Sequence, residues 1–334
     1  MMNDPVGRPQ DVTDLPPEAG GSFERSLPGV QEPDSSGMSA SDLPDLSGPL
    51  TPSGNLRRRQ LVSRLFEAAQ TASALLAVAV LGLVIYSVTA RAASVLSLSF
   101  LTHDPPLVSG ESGGGIAPAI LGTIVIVALA TVIAMPIGVL SALYLTEFAS
   151  PWTARAFRLV LDLLNGLPTI VVGLFVFGLL VVGHHQSGFA ASVALAIIML
   201  PLIARATQET LLLVPAGMRE AADALGVSRW RTVRGVVLPA ARGGILTATV
   251  LSVARAAGET APLIFLSSIY GNTISLNPFS GALPNIPVYI FTSSEAAEAN
   301  GFARAWGAAF VLLAFILFAN IVSRTLSRRS ALSR

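Results

Sequence analysis

Residues 215–239 open Pro215-Ala-Gly-Met-Arg219-Glu220-Ala221-Ala222-Asp-Ala-Leu-Gly226 and close, nine residues on, Val236-Val237-Leu238-Pro239. Pro215 suits the first position of a short helix. Gly226 suits its end, where a positive φ is needed. Ser228 can cap a second helix running to about Val237, and Pro239 is expected to stop it. The stretch therefore predicts a helix-turn-helix with a small, alanine-rich face. Apolar stretches flank it on both sides, at 189–213 and 243–268, each long enough for a membrane crossing. A polar, arginine-bearing loop between two such stretches points to an all-α polytopic membrane protein, with the loop at the membrane surface.

The rest of the chain agrees. Of its 334 residues, 52% are hydrophobic and only 12% charged, about half the charge of an ordinary soluble protein. A crossing helix needs about 20 apolar residues. Six stretches qualify, near 68–90, 117–146, 159–182, 189–213, 243–268 and 303–324. The second contains Pro136 and Gly138, which lipid-embedded helices tolerate where neighbours satisfy the freed backbone groups. These stretches define one transmembrane domain, 56–334. Residues 1–55 differ: nine prolines, seven glycines and eight serines, with a net charge of −7. Such a composition cannot bury enough apolar surface to fold, and predicts a disordered acidic tail. It has no charged segment followed by an apolar one, as a secretory signal would.

The near-neutral total of +1 is a cancellation, because the body carries +8. Sorting its 19 arginines by span sets the topology. With the N-terminus inside, 15 fall on the cytoplasmic side and only Arg91 and Arg304 outside. Both termini are therefore expected in the cytoplasm. All 21 basic residues are arginine. Without lysine there is no Walker A phosphate loop and no Schiff base, and without cysteine no disulfide or thiolate site. If ATP drives this protein, another subunit hydrolyses it.

Two arginines, Arg205 and Arg255, fall inside predicted spans. Arg255 lies near the middle of 243–268, with Glu259 four residues on and so on the same helical face. An arginine at a span centre costs about 2.5–3.5 kcal/mol on insertion scales, and such residues face a bundle interior or an aqueous path. Arginine's planar fork makes bidentate bonds to phosphate or carboxylate oxygens. Two readings fit: a charge in a transport path, held by Glu259 until an anion passes, or a static ion pair that fixes helix packing. Gly258 is expected to permit close packing and Pro262 to bend or break the helix. Arg205 likewise has an acid, Glu209, four residues on, nearer the cytoplasmic end, where its head can snorkel to water.

The loop Glu220-Ala221-Ala222, three residues, Gly226, nine residues, Val236-Val237-Leu238-Pro239 resembles the "EAA" loop of ABC importer permeases, with Val236 where isoleucine is usual. The run Arg255-Ala-Ala-Gly258-Glu259-Thr260-Ala261-Pro262-Leu263 resembles the fifth-helix signature of the permeases of high-affinity phosphate importers, and its ending favours their A-type subunits. Gly114-Gly115-Ile116 with Pro118 and Gly122-Thr123 is similar to that family's entry to the second helix. Leu167-Pro168-Thr169-Ile170-Val171 with Gly173-Leu174-Phe175 resembles its third-helix motif, with Thr169 where serine is usual. Leu283-Pro284, Tyr289, Trp306 and Asn320 resemble its closing segment. The likeness covers about 65–325 and not the tail.

The resemblance implies a type I ABC importer permease fold and a non-catalytic role in importing inorganic phosphate. It implies a heterodimer with a C-type permease, two cytoplasmic ATPase subunits that bind ATP and Mg, and an extracytoplasmic phosphate-binding protein. The setting is a bacterial plasma membrane, with lipid and no nucleic acid as partner. Arg255, Glu259 and Arg205 match charged positions of the translocation path, and Thr169 is a candidate hydroxyl donor or simply a packing residue. Glu220, Ala221, Ala222 and Gly226 are implied to couple to the ATPase. Rival functions are an ABC permease for sulfate or molybdate and an ion-coupled secondary transporter. No metal site is expected: His184–His185 and His103-Asp104 lack a third ligand nearby in sequence. The loop near 271–302 is expected to cover the outer mouth.

Overall fold

The computed structural model describes residues 56–106, 111–267, 276–279, 281–295 and 298–332. The expected tail, 1–55, lies outside the described residues, as does part of the loop near 271–302. The chain divides into two units, 1–71 and 72–334. The described part of the first is the opening of helix α1, Leu56–Ala92. There the Thr71 hydroxyl donates to the Glu67 carbonyl at 2.8 Å and Ser63 reaches the Glu67 carboxylate at 3.3 Å.

Every regular element among the described residues is helical. After α1 come α2 (Leu98–Thr102), α3 (Ala117–Leu143), α4 (Pro151–Gly166), α5 (Thr169–Leu180) and α6 (Gly188–Leu212). Then follow α7 (Ala216–Ala224), α8 (Arg229–Thr232), α9 (Leu238–Ala256), α10 (Leu263–Leu266), α11 (Ile286–Glu295) and α12 (Ala299–Leu332). Five stretches are long and apolar enough to cross a membrane: 57–92, 117–148, 188–212, 229–256 and 299–325. The bent pair α4–α5 makes a sixth if its two helices are counted as one span.

The heart of the bundle is α3 against α6. Ala130, Ala134, Ala190, Ala191 and Ala194 are buried there beside Leu195, Met199 and Ile203. Lipid gives helices no hydrophobic reason to associate, so close van der Waals approach between small residues does that work. Gly138 carries this furthest, since a Cβ there would lie 3.0 Å from the Ile203 side chain. Pro136 and Pro201 sit inside these helices without breaking them.

Three sequence expectations need correction. The span predicted at 159–182 is not one helix. It is α4 and α5, bent by 96° where Leu167 leaves the helical region (φ −68°, ψ 135°). Pro168 causes the break, because its ring disfavours helical geometry in the residue before it. At about 1.5 Å per residue, α5 is about 18 Å long and cannot cross a core of about 30 Å alone. The span predicted at 243–268 also breaks: α9 ends at Ala256, six residues intervene, and α10 is a single turn. Thirdly, Pro239 does not stop the helix, which runs on from Arg229 to Ala256. A π-turn at Val233–Val237, closed by the Leu238 N–H on the Val233 carbonyl, precedes the proline. A π-turn widens the backbone at the point where the proline ring would meet the carbonyl four residues back.

On the far side of the bundle a buried polar cluster fixes the entry to α11. Asn285 is its N-cap: the Val288 N–H donates to Oδ1 at 3.0 Å, while Nδ2 donates to the Ser267 hydroxyl. Ser267 in turn donates to the Leu283 carbonyl, and the Ile286 N–H donates to Thr123 Oγ1 at 2.9 Å. Asn285→Leu removes a cap and a donor at once, and is expected to cost about 2–4 kcal/mol. The Tm of the purified protein should fall accordingly; an unchanged Tm would mean that the cluster contributes nothing to stability.

Candidate functional site

Arg255 stands in the last turn of α9 rather than at a helix midpoint. At a rise of about 1.5 Å per residue it lies about 20 Å along the helix from Arg242. The helix closes in tight turns, with the N–H groups of Gly258 and Glu259 bonded to the carbonyls of Arg255 and Ala256 at 3.1 Å each. These turns bring Glu259 beside the guanidinium, Nε to Oε1 being 3.9 Å. That is an ion pair without a hydrogen bond. Arg255 is 62% exposed and Glu259 17%. The fork of Arg255 is thus largely free to receive an oxyanion in bidentate fashion. Bare lipid is a poor environment for an exposed guanidinium, so Arg255, near the end of the candidate crossing helix 229–256, calls for water or a protein partner.

Gly258 does not provide the close packing expected of it, since a Cβ there would make only ordinary contacts, the nearest at 3.6 Å. The tight approach is at Gly173 on α5, where a Cβ would lie 2.5 Å from Pro262 Cα. The break in the fifth span therefore docks on the short helix that follows the break in the third. Non-helical backbone at membrane depth is tolerated only where it is buried in protein or lines a wet cavity. Thr169 opens α5 one turn before Gly173, on the same helical face and half-buried.

Arg205 is placed apart from Arg255. Its ion-pair partner is Asp162 on α4, not Glu209. Arg158, Asp162, Arg205, Gln208 and Glu209 line a polar cavity of about 240 Å³. Two cations and two carboxylates meet there, so Arg205 is already neutralised. A larger groove of about 460 Å³, lined by Ile124, Val127, Val253, Leu312 and Phe315 among others, contains no charged side chain and suits no anion.

The loop predicted from its spacing folds as a helix with a left-handed end. Pro215 is the N-cap of α7 rather than its first residue. Gly226 has φ +68°, and the N–H groups of Gly226 and Val227 return to the carbonyls of Asp223 and Ala222 at 2.9 and 3.1 Å. This is a Schellman end, which needs a residue without a Cβ. Ala222 faces inward, whereas Glu220 and Ala221 face out beside the exposed Met218, Leu225 and Trp230. The outward surface of α7 and the start of α8 thus mixes charged side chains, Glu220, Asp223 and Arg229, with apolar ones.

One pair escaped sequence reasoning. Arg219 of α7 reaches Glu147, which lies in a second π-turn, Tyr144–Phe148, at the end of α3. Guanidinium Nε and Nη2 both donate to Oε1, at 3.2 and 2.9 Å. Glu147 is 8% exposed and Arg219 25%. The only sequence signal was Glu147 as a lone acid closing a long apolar stretch. No cluster of three His, Cys, Asp or Glu side chains able to hold a metal occurs among the described residues.

Comparison with known proteins adds the following. The family described as "Binding-protein-dependent transport system inner membrane component" matches residues 134–331. "Phosphate transport system permease protein PstA 1" of Mycobacterium tuberculosis is 40% identical over 215 residues, 64% of this chain and 70% of the relative. "Phosphate transport system permease protein PstA" of Yersinia pestis is 37% identical over 247 residues, 73% of this chain and 82% of the relative. Among solved structures, a chain of the bacterial alginate ABC transporter in complex with its alginate pentasaccharide-bound periplasmic protein superposes with a TM-score of 0.57. At 16% identity, over 82% of this chain and 99% of that one, it shares the fold.

Proposed function

The chain belongs to the family of binding-protein-dependent transport system inner membrane components, and on that premise we propose that it is the A-type permease subunit of an ATP-driven importer of inorganic phosphate. The observation that carries the reading is the 37–40% identity to phosphate permeases across most of their length. A loosely paired, exposed arginine at a broken span supports it chemically.

In this reading the chain is a multi-pass subunit of a bacterial plasma membrane, with both termini in the cytoplasm. It forms the path with a C-type permease. An extracytoplasmic binding protein delivers phosphate, and two ATPase subunits hold ATP and Mg. The permease itself catalyses no reaction; it has no lysine with which to build a Walker A loop. The outward face of α7, with Glu220, Ala221 and the tight end at Gly226, meets the ATPase. When that face is pushed, the bundle reorients between outward and inward access. Arg255 offers its free donors to the passing phosphate, and Glu259 recaptures the guanidinium afterwards. Arg205 and Thr169 flank the cytoplasmic half of the path.

The test is ATP hydrolysis by the four-component complex reconstituted in lipid. Phosphate-loaded binding protein should stimulate it several-fold, and sulfate should not. Equal stimulation by sulfate, or failure of an ATPase subunit to co-purify, would overturn the proposal.

A further inference from the structure

The ion pair between Arg219 and Glu147 joins α7 to the end of α3, 72 residues earlier, and the same arginine reaches back to the end of α6. Besides holding Glu147 on the π-turn that ends α3, the Arg219 guanidinium donates to the Val214 carbonyl at 2.7 Å and the Leu211 carbonyl at 3.0 Å. Those carbonyls belong to the last turn of α6 and the residues just after it. A helix C-terminus favours a cation, and its last carbonyls need donors. One side chain on α7 therefore caps α6 and grips α3, the two helices that form the heart of the bundle. The same elements carry a small buried apolar cluster of Ala142, Leu143, Leu211, Val214, Val233 and Val237; Glu147 is buried, while Arg219 is a quarter exposed. On its other side α7 leads into α9 through α8 and the π-turn at Val233–Val237.

We propose that Arg219 and Glu147 form the mechanical link of the importer: they clamp α7 rigidly to the α3–α6 pair, so that a push on α7 moves that pair as one body. Arg219 is a positioning residue and touches no substrate. Towards α9, α7 is joined by main chain across Gly226 and a π-turn and by packing against α8 and that turn, whereas the Arg219 guanidinium makes directed, charge-assisted bonds to α3 and α6. The inference rests on the importer reading above and names the route by which ATPase closure reaches the path.

Two measurements on the full complex test it. The first is the number of phosphate ions imported per ATP hydrolysed. Arg219→Gln and Glu147→Gln should each lower that ratio about tenfold, within the range of interaction energies measured for contacting pairs, while the assembled complex keeps its ATP hydrolysis. The double variant should be no worse than either single one. Import and hydrolysis falling together, or an unchanged ratio, would overturn the proposal. The second measurement leaves the pair intact, and so stands even if those variants fail to assemble. The chain has no cysteine, so spin labels can be attached through Leu140→Cys on α3 and Gly217→Cys on α7. Both sites are open, Leu140 being exposed and a Cβ at Gly217 meeting nothing. The distance between the labels should stay constant when ATP binds. A change of more than about 3 Å, beyond ordinary helix shifts, would mean that α7 moves independently and would overturn the clamp. This reading does not depend on the solute. A constant distance in a complex that fails to import phosphate would remove the proposed function and leave the clamp standing.

Discussion

Arg255→Gln is expected to abolish phosphate import, by about a hundredfold or more, while the complex still assembles. Two charge-assisted hydrogen bonds to an oxyanion contribute about 3 kcal/mol or more, and that loss corresponds to about two powers of ten. Assembly should survive because Arg255 contributes little to packing: it is 62% exposed and its contact with Glu259, at 3.9 Å, is not a hydrogen bond. Arg255→Lys keeps the charge but loses the planar fork, and should fall between the two. Radiolabelled phosphate uptake into vesicles, with the amount of assembled complex measured in parallel, decides the matter. Uptake at the wild-type rate in Arg255→Gln would take Arg255 out of the path and leave the static ion pair as its role.

Gly173→Val is expected to destabilise the permease by several kcal/mol and to deplete the folded complex. The added Cβ would meet Pro262 Cα at 2.5 Å, its Cβ at 2.9 Å and its carbonyl oxygen at 3.0 Å. None of these atoms can swing aside, because all belong to backbone or to a rigid ring. Overpacking of a flexible neighbour costs about 1–3 kcal/mol, and a rigid one more. Gly178 supplies the control on the same helix, since a Cβ there meets nothing within 4 Å. Gly178→Val should therefore leave the yield and Tm of the purified complex unchanged. Equal behaviour of the two variants would show that the two broken spans do not press against each other.

What sequence could reveal followed the range of the interaction. The segment 215–226 was legible because its determinants are local: Pro215 and Gly226 act within a turn of themselves, and α7 ends where expected. Hydropathy located the long apolar segments but not the bends within them. The bends at Pro168 and after Ala256 leave composition unchanged, so 159–182 and 243–268 looked continuous. Pro239 misled because the π-turn before it is a property of the whole segment and not of the proline. For Arg205 the nearest acid in helical spacing was Glu209, whereas its partner Asp162 sits across a helix–helix contact. Glu147 and Arg219 are 72 residues apart and meet only once α3 and α6 are packed. The small residues of that packing, Ala130, Ala134 and Ala194, were visible, but which helix each would face was not.

The two π-turns bear on how these helices are phased. Each closes a bond from one residue to the fifth along, from the Ala149 N–H to the Tyr144 carbonyl and from the Leu238 N–H to the Val233 carbonyl. Each therefore holds one residue more than an α-turn would. One residue is about 100° of rotation about a helix axis. Without the surplus at 144–148, the carboxylate of Glu147 would be swung about the axis and away from Arg219. Without the surplus at 233–237, every side chain upstream would be rotated against α9 and its arginine. The pair of extra residues thus sets the angular phase between the segment that receives the push and the helices that carry it.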